Sequence, residues 1–122
     1  MASSNFYWRA GSLLGLSGIA LGAYGSHGLS KVVGNDETKL KNWNTAAHYQ
    51  IIQGVALLAI SSIPTSVRRI HPAAQPLIMG GTIMFSGTIY LLTLKREKFR
   101  ALGPVTPLGG LAMMAGWAAL LL

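Results

Sequence analysis

Two kinds of residue are missing or nearly missing from this chain of 122 residues: it has no cysteine, and its only acids are Asp36, Glu37 and Glu97. The first absence excludes disulfides, thiolate metal sites and cysteine nucleophiles. The second leaves no carboxylate within any long apolar stretch, hence no embedded general base and no ion-coupling acid. Charge of either sign is scarce, at 11% of residues, whereas soluble domains carry about 25%. With 51% of residues hydrophobic, the chain cannot cover a water-facing surface with charge, and the class expected is a polytopic membrane protein. The little charge present is lopsided, ten Lys and Arg giving a net +7. Those cations fall in short segments between apolar runs, where they set topology and meet anionic lipid head groups. The expected partner of this charge is the lipid bilayer, and nucleic acid is not expected.

Glycine, by contrast, is abundant, with fifteen in the chain. In GSLLGLSGIALGAYGSHG, residues 11–28, Gly11, Gly15, Gly18, Gly22 and Gly25 follow one another at four, three, four and three residues, which puts them on one helical face. In water such a helix would lose roughly 1 kcal/mol per glycine relative to alanine. In a bilayer the same stripe lets another helix approach until dispersion contacts hold the pair. Gly80 and Gly87, with Gly81 and Ser86 beside them, repeat the signal seven residues apart, and Gly109, Ala112, Gly116 and Ala119 form a further stripe. The fold expected is all-α, a single domain over 1–122 forming a four-transmembrane-helix bundle with tight glycine-mediated packing. Its spans are placed at about 10–26, 44–63, 77–94 and 103–122.

Local signals support these limits. Phe6, Tyr7 and Trp8 read as an interfacial aromatic anchor before the first span. Asn35 or Asp36 serves as an N-cap, with Glu37 in the first turn, for a helix running through Trp43 into the second span. Pro64 stops that span, and Pro76 suits the first turn of the third. KREKFR, residues 95–100, reads as a solvated basic loop. A Ser-Gly pair shared by 17–18 and 86–87 is too short to establish an internal repeat. Four spans put both termini on one side with Arg9, Arg68 and Arg69. Lys31, Lys39, Lys41, Lys95, Arg96, Lys98 and Arg100 fall on the other, so loops one and three are expected in the cytoplasm or the mitochondrial matrix. Trp8 and Trp117 then fall at one interface and Trp43 at the opposite one.

Polar side chains within the spans are costly unless paired or functional. Tyr24 and His27 end the first span, His48, Tyr49, Gln50 and Gln53 open the second, Tyr90 and Thr93 end the third, and Thr106 opens the fourth. All fall at one depth, as a polar collar in one leaflet. Tyr49 and Gln53, four apart, are expected to share a face, with His48 and Gln50 pointing elsewhere. His27 and His48 suggest a metal or proton site, but zinc sites want three or four protein ligands. The expectation is therefore no metal, no cofactor, no catalytic residue and no enzymatic activity, with His27, Tyr49, Gln53 and Tyr90 bonding between helices.

GAYGSHGL at 22–29, WNTAAHYQ at 43–50, FSGTIYLL at 85–92 and TPLGGLAMMAGW at 106–117 resemble the YgdD-like family of small four-span membrane proteins, a domain of unknown function with bacterial inner-membrane and eukaryotic mitochondrial members. The resemblance covers nearly the whole chain. The family's first motif, close to GAFGAHGL, maps onto Gly22, Gly25, His27 and Gly28. The family often carries a histidine shortly after the Tyr-Gln pair, where this chain has Gln53, a departure that weakens any metal or proton role shared with His27. The resemblance implies a fold and a membrane, favours the mitochondrial inner membrane for a eukaryotic owner, and supplies no activity. The function expected is that of an accessory or assembly subunit with a membrane-protein partner or as a homo-oligomer, the alternative being a small-solute or ion pathway lined by the collar.

Overall fold

A computed structural model of the protein describes residues 2–122, and side chains from residue 5 onward, so the first four side chains of the N-terminal segment lie outside the described part. Four principal helices carry the fold: α1 (Ala2–His27), α3 (Glu37–Ser61), α4 (Ala74–Leu94) and α6 (Val105–Ala119). The short helix α2 (Ser30–Val33) lies in the first connection, and the short helix α5 (Arg96–Phe99) with a 3-10 turn (Arg100–Leu102) forms the third. The described residues contain no strand.

The first connection turns on Gly34, whose φ of 72° lies in the left-handed region that favours glycine. Two residues later the Asp36 carboxylate accepts the Lys39 backbone N–H at 3.2 Å and starts α3, as the capping pattern predicts. The other end of α3 stops at Ser61, short of Pro64, and α4 takes Pro76 into its first turn.

Each helix runs antiparallel to the one it packs on. Gly11 lies opposite Gly54 and Leu57, Gly18 opposite Ala47 and Ile51, and Gly25 opposite Trp43, so α1 descends as α3 ascends. The second pair matches it: Gly81 meets Met113, Gly109 meets Phe85 and Gly116 meets Ala74 and Ile78. Contact between α3 and α4 joins the pairs. The resulting up-and-down order places both ends of the chain at one end of the bundle. Leu57, Ile60 and Ile78 are buried there as a small apolar core, with Tyr7, Leu14 and Leu120 packed on it.

The outer faces are apolar. Leu13, Leu16 and Ile19 on α1, Ile52 and Val55 on α3, Ile83 on α4, and Leu108, Leu111 and Met114 on α6 are each more than half exposed. Soluble monomers rarely leave so much aliphatic surface uncovered. By length and composition, only α4 among the described residues is apolar enough to count as a candidate membrane span, and α6 is apolar but shorter. Both α1 and α3 are long enough, at about 1.5 Å per residue, but glycine, serine, histidine and glutamine dilute their hydropathy.

Several sequence expectations need correction. The first helix begins at Ala2, well before the expected span limit near Ala10, and takes in Phe6, Tyr7 and Trp8. KREKFR is mostly helical, because Lys95 breaks α4 and the chain at once starts α5. The last helix ends at Ala119, before the Leu120–Leu122 terminus. Trp43 is no interfacial residue: it is 2% exposed and donates its indole N–H to the Leu21 carbonyl at 2.7 Å.

Candidate functional site

The buried stripe of α3 contains Trp43, Ala46, Ala47, Gln50, Gln53, Gly54, Leu57 and Ile60. Its three- and four-residue steps make it one helical face. That face turns Gln50 and Gln53 inward and leaves His48 and Tyr49 exposed. The expectation that Tyr49 and Gln53 share a face, with Gln50 elsewhere, is therefore wrong. Although Tyr49 and Gln53 are one turn apart, the stripe is centred between Gln50 and Gln53, and Tyr49 falls beyond its edge. Tyr49 instead lies against Phe85, ring centroids 5.0 Å apart.

Gln50 is the hub. Its amide N–H group donates to the Leu14 carbonyl at 3.0 Å and to the Ser17 hydroxyl at 2.6 Å, while its carbonyl accepts the Tyr90 hydroxyl at 2.8 Å. One side chain thereby ties α1, α3 and α4. Gln53 accepts the Trp117 indole N–H at 2.8 Å and ties α3 to α6. Trp117, expected in an interfacial belt, is drawn to the interior at its polar edge while its ring stays 45% exposed. Further ties run from Ser86 to the Ala46 carbonyl at 2.8 Å and from Gln75 to the Leu57 carbonyl and the Ser61 hydroxyl. Thr106 shares a hydrogen bond with Thr88 at 2.5 Å across α6 and α4. Tyr24 and Tyr90 flank the buried Trp43 ring at 5.6 and 4.7 Å.

The expected collar thus divides. Tyr90, Gln53 and Thr106 form bonds between helices, Tyr24 packs on Trp43, and His27, His48 and Tyr49 face outward. No group of three histidine or acidic side chains able to hold a metal ion exists among the described residues. Sequence reasoning missed Gln50 as the hub and Gln75 altogether. The signal for Gln50 was its register with Ala46, Gln53 and Leu57, and Gln75 had none beyond its place in the first turn of α4.

The glycines divide too. A Cβ at Gly11 would lie 2.7 Å from the Gly54 carbonyl oxygen, one at Gly18 2.7 Å from Ile51, and one at Gly25 2.6 Å from the Trp43 ring. Gly109 and Gly116 are held as closely, with the Phe85 backbone nitrogen at 2.5 Å and the Ala74 carbonyl at 2.9 Å. At Gly22 the contact is ordinary, 3.7 Å to Ala47. A Cβ at Gly15, Gly80 or Gly87, all expected to pack, would meet nothing within 4 Å, although the Gly15 backbone nitrogen itself lies 3.2 Å from where a Cβ at Gly54 would stand. On α4 the close contact belongs to Gly81, one residue over, whose Cβ would meet the Met113 backbone nitrogen at 2.6 Å.

The remaining expected residues, Lys39, Lys41, Lys95, Arg96, Lys98 and Arg100, gather at the end of the bundle opposite the termini. Lys39 and Arg96 line two neighbouring clefts there, and Lys95, Lys98 and Arg100 line one of them together with Glu97. Lys98 also lies over the Phe99 ring at 5.7 Å.

A helical bundle with an aliphatic exterior and a hydrogen-bonded interior belongs to the class of membrane proteins. Comparison with known proteins is specific: residues 21–110 match a family described as a protein of unknown function, DUF423, and the chain belongs to that family. A UPF0382 membrane protein of Schizosaccharomyces pombe is 43% identical, over 93% of this chain and 97% of its own length. One from Staphylococcus aureus is 36% identical over 92% of this chain and 88% of its own. The UPF0382 inner membrane protein YgdD of Escherichia coli is 32% identical over 98% of this chain and 88% of its own. No solved structure matches.

Proposed function

We propose that the protein is a non-enzymatic four-span bundle that serves as an accessory or assembly subunit of a larger membrane complex, with the mitochondrial inner membrane as its place in a eukaryotic cell. The observation that carries this reading is that the polar groups sealed between the four principal helices use one another up, Thr93 at the cleft mouth being apart from them. Gln50, Tyr90, Gln53, Trp117, Ser86 and Gln75 all bond between helices, and no buried side-chain nitrogen or oxygen lacks a partner among the described residues. Substrate chemistry or conduction calls for interior polar groups free to engage a solute, so this arrangement also weighs against a solute pathway. The glycines at 80 and 87 are left open on α4 and offer another membrane helix a close approach.

In this reading α1, α3, α4 and α6 all cross the bilayer, the dilute hydropathy of α1 and α3 being offset by glycine packing and paired amides. The connections at residues 28–36 and 95–104 face the matrix, and both termini face the opposite side. The test is purification in mild detergent followed by native electrophoresis and identification of associated chains. Co-migration with a larger assembly that is lost on Gly80→Leu/Gly87→Leu is expected. A lone monomer at every concentration would refute the subunit reading.

A further inference from the structure

The cleft between α3, α4 and α6 at the end opposite the termini, about 280 Å³, holds polar groups that the fold does not use. Thr93, on the last turn of α4, is 6% exposed, yet its hydroxyl makes no hydrogen bond within the described residues and is not sealed from the cleft that it lines. Its neighbours behave otherwise, since the Thr88 and Thr106 hydroxyls are bonded to each other. Asn42, on α3, lines the same cleft with an unpartnered amide. Two cations close it, Lys39 from the first turn of α3 and Arg96 from α5, and neither forms an ion pair with any acid among the described residues. Below them the walls are Ile89 and Leu92.

This is a graded site. It presents two positive charges that converge from different elements, two neutral hydrogen-bonding groups beneath them, and aliphatic walls that continue toward the bundle. A phosphate ester satisfies the upper part, because its oxygens accept from guanidinium, ammonium, hydroxyl and amide together. The apolar walls ask that the phosphate carry a hydrocarbon chain. Basic pockets between membrane helices bind anionic head groups on this principle. We infer that the cleft binds the phosphate of one anionic phospholipid, held by Lys39, Arg96, Thr93 and Asn42, with an acyl chain against Ile89 and Leu92. Glu97 lines the neighbouring cleft with Lys95, Lys98 and Arg100. The three extra cations outnumber it, so the surrounding field remains attractive to a phosphate. The inference does not depend on the identity of any protein partner, and requires only that this end of the bundle reach the head groups.

Native mass spectrometry of the intact protein in an uncharged detergent, with phosphatidylglycerol as the added probe, tests the site. One phosphatidylglycerol should be retained per chain, and phosphatidylcholine should not. Lys39→Ala/Arg96→Ala should weaken retention about tenfold or more, Lys39→Arg/Arg96→Lys should restore it, and Thr93→Val should weaken it severalfold without changing the fold. Arg68→Ala/Arg69→Ala removes the same charge at the opposite end and should change nothing. Equal loss in both arginine-containing alanine pairs, or full retention without Lys39 and Arg96, would overturn the proposal. Equal binding of inorganic phosphate alone would assign the cleft to a soluble phosphate and overturn the lipid. Should the alanine pair not fold, Thr93→Val and Lys39→Gln/Arg96→Gln decide by the same criteria.

Discussion

A primary amide in hydrocarbon is stable only where both of its ends are bonded, and Gln50 meets this condition through three helices at once. Leucine at this position would keep most of the volume while orphaning the Tyr90 hydroxyl. Side-chain bonds between membrane helices average about 0.6 kcal/mol, so Gln50→Leu should lower the free energy of unfolding in detergent by roughly 1–2 kcal/mol. In a double-mutant cycle with Tyr90→Phe, the two changes should be less than additive, and strict additivity would show that the Tyr90 bond contributes nothing. His48→Ala, on an exposed position, should stay within about 0.5 kcal/mol of the parent. The polar residues themselves were legible in the sequence, because glutamine, tyrosine and histidine stand out in apolar runs. Their pairing was not legible. It depends on a rotation of α3 by less than one residue, which decides whether Gln50 or Tyr49 turns inward, and neighbouring helices set that rotation.

At the scale of the element, glycine acts through what lies opposite it. Gly109 and Gly81 face each other across α4 and α6, with backbone atoms within 3 Å of where a Cβ would stand. Backbone cannot rotate aside, so Gly109→Ala must push the two helices apart and should cost about 1–3 kcal/mol. Gly87→Ala, facing open space, should be neutral or slightly favourable, since alanine is the better helix former. Thermal unfolding of the two variants side by side checks the contrast, and equal shifts would mean that the close approach does not hold the pair together. The small-residue stripes were visible in the sequence on both flanking helices. On α4 the visible glycines, 80 and 87, are the open ones, while Gly81 and Ser86 face neighbouring helices. A seven-residue spacing marks a face of a helix without saying which way the face points. The ends of the helices followed chemistry that a sequence does display, Asp36 as a cap and Pro76 in a first turn. The helical form of Arg96–Phe99 did not, because a run of charge fits a loop and a short helix equally well.

For the whole molecule, the absence of cysteine is an experimental asset, because a single introduced thiol reports its side of the membrane without background. With the proposed topology, Ser66→Cys, in the exposed turn between α3 and α4, should react with an impermeant maleimide in intact mitoplasts. Thr38→Cys, at the exposed start of α3, should react only after permeabilisation. Labelling of both from the same side would refute the four-span arrangement. Two different kinds of contact also hold the halves of the molecule together. Within each antiparallel pair, glycines bring backbones into contact, whereas between the pairs the joint is made by side-chain hydrogen bonds, through Gln75, Ser86 and Tyr90 from α4 to α3 and through Trp117 from α6 to Gln53. The tight contacts are therefore all between helices joined by one connection, and each pair can close as soon as its second helix has been made. Each should also survive as a separate polypeptide. Residues 1–66 and 67–122, produced as two chains in one cell, should find each other and co-purify, with Gln50→Leu loosening the union more than any change at Gly11 or Gly109.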